Sequence, residues 1–320
     1  DSYNTAVGDQ AGLRVTTGVD NTLLGGLAGD ALTDADFNVA IGKASLSADT
    51  KGNTATAVGV ATLLAQNFTT STNHYNSAFG YFAGSAITTG IQNTLIGGLA
   101  GDAQTAASNN TALGYGSLST ETNGSRNVAI GVLALENQNT SGGGNIYNVA
   151  VGALAGQSVT TGVENTIVGG LAGDALTTGS QNVALGYEAL TSDDVGSDSV
   201  AIGKGTLQNQ NFTTATNSYN TAVGRDAGND ITTGISNVLI GGLAGDALTD
   251  ADENVAVGRS ALTTDTLGSK TVAVGYNALK LQNFTTATDS YNVAVGYHAG
   301  LQVTTGIFNT LVGGVVGDSI

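Results

Sequence analysis

The sequence predicts an all-β protein, a parallel β-solenoid (β-roll) of about 18 coils of 17–21 residues. Three observations carry that reading. Tyr3, Tyr75, Tyr147, Tyr219 and Tyr291 recur every 72 residues without slipping by one. Inside each interval the pattern Asn-x-Ala/Leu-x-Gly returns after 17, 17, 17 and 21 residues. Glycine closes the pattern at all 18 occurrences, and Asn opens it at 15, the exceptions being Ala55, Ser199 and Thr271. A unit of about 20 residues is one solenoid coil, which buries its apolar side only by stacking on its neighbours.

The segment from Asn to Gly is the predicted strand. Its fourth residue is always large and apolar (Val7, Leu24, Ile41, Val58, Phe79, Ile96), and its second is commonly Thr, Val or Ser. Alternation of period two with β-branched residues, bounded by Asn and Gly, predicts a short strand whose second and fourth residues share a face. A helix is excluded, because each of the many glycines would cost about 1 kcal/mol relative to Ala. After the glycine a second apolar pair, as in Ala44-Ser45-Leu46 or Ala189-Leu190, predicts a second strand or bend. Thr-Thr-Gly, at Thr16 to Gly18 and Thr88 to Gly90, then predicts a turn. Asn4, Gly8, Asn21, Gly25, Asn38 and Gly42 open a structural ladder whose Asn amides are expected to hold turn backbone and to bond coil to coil.

Residues 1–320 read as a single repeat region, with blocks at 3–74, 75–146, 147–218 and 219–290 and a partial block at 291–320. No capping element is visible, so the expectation is a segment of a longer fibre. The middle strand residue is apolar as well: Ala in three coils of each block (Ala6, Ala40 and Ala57), with Leu23, Leu95, Ile167, Leu239 and Leu311 in the second coil of each block. Beside each Leu or Ile an extra glycine follows the motif glycine, at Gly26, Gly98, Gly170, Gly242 and Gly314. A strand apolar on both faces is covered on both. A 17-residue coil has room for one thin core, so the Ala/Leu face is expected to lie against another copy of the chain. A homotrimer is the expected form; the competing arrangement folds both faces inside one wide coil.

Composition narrows the function. With 25 acidic and 9 basic residues the formal charge is −16, which disfavours nucleic acid and anionic lipid and keeps fibres apart in solution. No apolar run reaches the roughly 18 residues of a membrane helix, so the segment is not expected to span a membrane. The absence of Cys and Met suits an oxidising, extracellular setting on a virion or cell surface. No nucleophile–base–acid constellation interrupts the repeat, and no cofactor motif is present, so an enzyme is not expected. The glycine-rich run Gly25-Gly26-Leu27-Ala28-Gly29 lacks the Lys-Ser/Thr of a phosphate loop.

Two sets of residues stand out as candidate sites. The 21-residue coils carry Gln-Asn-Phe-Thr-Thr or a variant of it, with Asn-x-Ser/Thr at Asn67, Asn139, Asn211 and Asn283. The functional reading is a row of glycan attachment points or adhesive loops; the structural one is an outward loop whose Phe68, Phe212 and Phe284 tuck against the next coil. Asp30, Asp34 and Asp36, and again Asp246, Asp250 and Asp252, form acidic clusters that are candidate Ca²⁺ ligands, or else turn-capping residues. His74 and His298 occupy non-equivalent places and form no constellation.

The motifs Asn-Val-Ala-Ile-Gly at Asn38 to Gly42 and Asn127 to Gly131, and Ser-Val-Ala-Ile-Gly at Ser199 to Gly203, resemble head repeats of trimeric autotransporter adhesins. Asn4 to Gly8, Asn182 to Leu190 and Asn292 to Gly300 are similar to Asn-Thr-Ala-Val-Gly-Tyr-x-Ala-Leu repeats of phage and algal-virus tail-fibre proteins. The resemblance covers nearly the whole chain and implies a homotrimeric β-roll fibre that binds a host-surface glycan or protein by many weak contacts. The longer coils and the 72-residue superperiod depart from the adhesin heads. A self-assembling extracellular filament with a purely structural role is the second expectation. An ice-binding solenoid would need a Thr array on every coil, whereas Thr-Thr-Gly falls mainly in the first coil of each block.

Overall fold

A computed structural model describes residues 2–318; Asp1 and residues 319–320 lie outside the described residues. It is an all-β parallel solenoid of eighteen coils, and no helix long and apolar enough to cross a membrane is present among the described residues. The coils fall into two compact units that divide at Thr161 and Gly162.

In the first unit nine three-residue strands run from Thr5–Val7 through Thr22–Leu24 and Val39–Ile41 to Val149–Val151. Each pairs parallel with the next in direct register: Ala6 faces Leu23, Leu23 faces Ala40, and Ala40 faces Ala57. The second unit repeats the arrangement in nine strands from Thr166–Val168 to Thr310–Val312. Direct register follows from the sequence, because coils of fixed length return each position to the same place.

The chain leaves every strand through the motif glycine, whose φ lies between +124° and +144°. A side chain there would also collide with the next coil: a Cβ on Gly42 would lie 2.3 Å from the carbonyl oxygen of Gly59. Backbone conformation demands glycine at all 18 sites, and space demands it as well at Gly8, Gly25 and Gly42, though not at Gly313. The segment after it is a run of turns, so of the strand or bend that the apolar pairs predict it is the bend. Short second strands occur only where a 21-residue coil stacks on its predecessor, as Gly52–Asn53 pairs with Thr72–Asn73.

The core reverses the predicted faces. The middle strand residue points inward: Leu23, Ala40, Ala57, Ala78 and Leu95 are all buried. The second and fourth residues, expected inside, face outward in both units. Small Ala does mark the close approach of another backbone, but that backbone is the coil's own returning arm; a Cβ on Gly12 would sit 3.7 Å from the Cβ of Ala6. The volume exchange also has another partner than Gly26, beside which the nearest atom to a Cβ lies 3.8 Å away. Leu23 instead covers two glycines of the returning arms, its δ-carbons lying 2.8 Å from Cβ positions on Gly12 and on Gly29. In the next two coils Leu46 and Leu63 of the returning arms are buried opposite Ala40 and Ala57. Large aliphatic side chains thus come from one arm, the other or both, the coil of Leu23 burying Leu32 as well.

Candidate functional site

The outward sheet face is a partly exposed apolar feature that recurs at every coil. Its fourth-position file includes Leu24, Phe79, Leu113 and Ile240, exposed by 47%, 39%, 44% and 40%. Beside it run Thr22, Val39, Thr94 and Val238, partly or fully exposed. Parallel sheets normally have both faces covered. Here the inner face meets the coil's own core, while the outer residues are partly or fully exposed among the described residues. Because the strands pair in register, the side chains stand in straight ranks about 4.8 Å apart.

The Asn ladder is buried behind the strand starts. Asn38 Nδ2 donates to the Gly52 carbonyl at 2.9 Å, closing its own coil, and its Oδ1 accepts the Ala55 N–H at 2.8 Å in the next. Asn21, Asn76, Asn93 and Asn237 are bonded in the same way. Ala55, Ser199 and Thr271 now have a reason. Each opens a 21-residue coil, where the four extra residues displace the carbonyl that an Asn amide would reach. Asn127 opens the remaining long coil, and its Nδ2 is buried without a partner.

Losing the Asn oxygen leaves the N–H of the next Asn without its acceptor, and a residue two positions before that Asn replaces it. Asn76 N donates to His74 Nδ1, Asn220 N to Ser218 Oγ, and Asn292 N to Ser290 Oγ, each at 3.2 Å. Where Asn127 retains its oxygen, the Asn148 N–H uses it at 3.2 Å, and the corresponding position is the buried, apolar Ile146.

Each long coil is tied to its predecessor through a buried carboxylate. Asp49 Oδ1 accepts N–H groups of Gly52 and Phe68, both at 3.0 Å, and Oδ2 accepts from Gln66 Nε2 at 2.8 Å. Gln66 Oε1 in turn accepts from Asn76 Nδ2 at 2.9 Å. Glu121 with Gln138, Asp193 with Gln210, and Asp265 with Gln282 repeat the connection. Burial pushes the Asp193 carboxyl up, against the downward pull of its bonds from Gln210, Gly196 and Phe212. His74 is wholly buried, stacks on Phe68 with ring centroids 5.1 Å apart, and is held down to about 4 by its burial. The carboxylates were readable as Asp49, Glu121, Asp193 and Asp265, 72 residues apart and each 17 before a Gln, but exposed-site reasoning passes over them.

The candidate sites resolve residue by residue. Phe68, Phe212 and Phe284 are buried. Asn67 and Asn211 are exposed, while Asn139 and Asn283 are partly covered. The Oδ1 atoms of Asn67 and Asn139 accept hydroxyl bonds of 3.1 Å from Thr50 and Thr122. The acidic clusters do not converge, and no three carboxylate or imidazole groups are placed to hold a metal among the described residues. Asp36 Oδ1 accepts the Val19 N–H and Asp252 Oδ1 the Ile235 N–H, both at 2.8 Å, so these two fasten the preceding turn. Asp34 lies 3.8 Å from Lys51, Asp250 accepts from Thr233 at 2.6 Å, and Asp246 accepts from Thr263. One oxygen of Asp30 is buried without a partner.

Comparison with known proteins finds no family model that matches the chain and no curated protein of matching sequence.

Proposed function

We propose that the chain is the shaft or adhesive region of a surface fibre, in which several copies pack side by side through the outward sheet face. The carrying observation is that face: two ranks made mostly of Thr, Val, Ile and Leu that recur at every coil in both units and stay partly or fully exposed among the described residues. Ranks of apolar side chains on a rigid parallel sheet gain most by meeting an identical set, and closed symmetry lets every copy do so. A trimer is the smallest ring that gives each copy two such neighbours. The fibre then projects from a virion or cell surface and attaches to a host-surface glycan or protein by multivalent contacts. The registered coils support this reading because they offer the same group many times in a line.

Sedimentation equilibrium tests the assembly. The expected mass is three times the 31.6 kDa chain, and replacing Ile96 and Leu113 with Glu on the outward rank should return it to one. A monodisperse single-chain mass for the parent protein refutes the packing. Filaments of unbounded length would favour a purely structural role.

A further inference from the structure

The residue after each motif glycine starts a second file, and in the second unit that file has a composition found nowhere else on the chain. It contains Tyr187, Lys204, Arg225, Arg259, Tyr276 and Tyr297, all exposed. Of the five Lys and Arg in residues 162–318 (Lys204, Arg225, Arg259, Lys270 and Lys280), three stand here. The backbone beneath them is fixed. The carbonyls of Tyr187, Lys204 and Arg225 accept N–H groups of Gly205, Asp226 and Leu243 in the next coils at 3.0, 2.9 and 3.0 Å.

The fold does not require these side chains. Other coils place Val60, Val132 or Ala153 at the same position. Only Arg225 has a carboxylate partner, Asp226 at 2.8 Å; Lys204 and Arg259 make no ion pair among the described residues. They lie instead beside rings, Lys204 at 5.9 Å from the Tyr187 centroid and Arg259 at 6.0 Å from that of Tyr276. Tyr276 and Tyr297 stack with centroids 5.5 Å apart. Cations held one or two coils apart, about 5–10 Å, repel one another. On a chain of charge −16 this is a concentrated strip of positive charge flanked by aromatic surface.

We propose that this file binds an acidic polysaccharide lying along the stacked coils. Uronate or sulfate groups spaced along the polymer match Lys204, Arg225 and Arg259, and the apolar faces of its sugar rings match the tyrosines. Glu188 and Asp226, each next in sequence to a residue of the file, distinguish a polysaccharide from a nucleic acid. They accept hydrogen bonds from sugar hydroxyls, which a polyuronate offers on every ring and the backbone of single-stranded DNA does not. The assignment names a partner class for the attachment reading above and rests on it. Side-by-side packing through the sheet face is separate, so solution mass and polysaccharide binding can fail independently.

The test is retention of the full chain on immobilised alginate, a polyuronate, with neutral dextran and single-stranded DNA as comparison ligands. The expected result is retention on alginate that salt reverses, and none on dextran. The triple variant Lys204→Gln, Arg225→Gln, Arg259→Gln should lose retention, whereas Lys51→Gln with Lys280→Gln, also uncharged substitutions but off the file, should keep it. If the triple variant loses the parent's far-ultraviolet spectrum, the single variant Arg259→Gln replaces it and should elute at lower salt. Failure of the parent to bind alginate, equal retention of the folded file variant, or tighter binding to DNA than to alginate would each overturn the proposal.

Discussion

Gln66 donates a 2.8 Å hydrogen bond to the carboxylate of Asp49 one coil earlier, and both side chains are wholly buried. Among the described residues the amide is the only side chain hydrogen-bonded to that Oδ2 atom, so its removal leaves a buried carboxyl oxygen short of a donor. Gln66→Leu is therefore expected to destabilise the first unit by about 3 kcal/mol. Asp49→Asn with Gln66 intact should cost less, since the charge goes with the bond. Urea denaturation of the two variants checks the order; equal midpoints would refute it.

His74 makes acid sensitivity local. An unfolded chain protonates this imidazole near its ordinary 6.5, but in the fold it takes a proton only near 4. The folded state therefore loses stability as pH falls from about 6.5 to about 4, by about 3 kcal/mol in all, and no further below that. Asp193 in the second unit acts in the opposite sense. Its raised pKa means that the folded carboxyl takes up a proton at higher pH than the unfolded one, so acidification relieves an unfavourable charge. Replacing Ala55 and His74 with the Ser pair found at Ser199 and Ser218 should remove the His74 part of the first unit's acid slope, leaving the opposite contribution of Asp102, whose carboxyl is pushed up by burial. Melting temperatures at pH 7 and pH 4.5 measure it.

Gln104 stands where three other blocks have the buried Leu32, Leu176 and Leu248, and both polar atoms of its side chain lack partners. Gln104→Leu is expected to stabilise the first unit by about 2 kcal/mol, by removing an unsatisfied buried amide. A lower denaturation midpoint in this variant would show that the amide has a partner after all, such as a bound water.

The motif glycine offers the sharpest contrast between positions. Gly42→Ala, whose Cβ would lie 2.3 Å from a backbone oxygen, should unfold the stack around it or prevent soluble expression. Gly26→Ala, with its nearest neighbour 3.8 Å away, should leave the stability of a single chain within about 0.5 kcal/mol. Circular dichroism on both variants separates the two glycines, which stand next to equivalent positions in the repeat.

Coil length, strand position and the demand for glycine were legible in the sequence, because each is set by backbone geometry that repeats. The direction of the strand faces was not. In Val39-Ala40-Ile41 the large residues satisfy every rule for a core face, yet the coil is so thin that only the Ala side fits against the returning arm. Hydrophobicity ranks the residues; the cross-section chooses among them. The pairing of Gln66 with Asp49 was hidden for a related reason. Gln66 and Asp49 look like surface residues, and only their separation of one coil shows that each satisfies the other inside.

Leu23 reaching over both Gly12 and Gly29, followed by Leu46 and Leu63 from the opposite arm, makes four consecutive coils interdependent. Loss of the coil that carries Leu23 would leave a void between glycines of the returning arms. Gain or loss of a whole block of 72 residues keeps every such pairing, so the packing itself favours change in that unit.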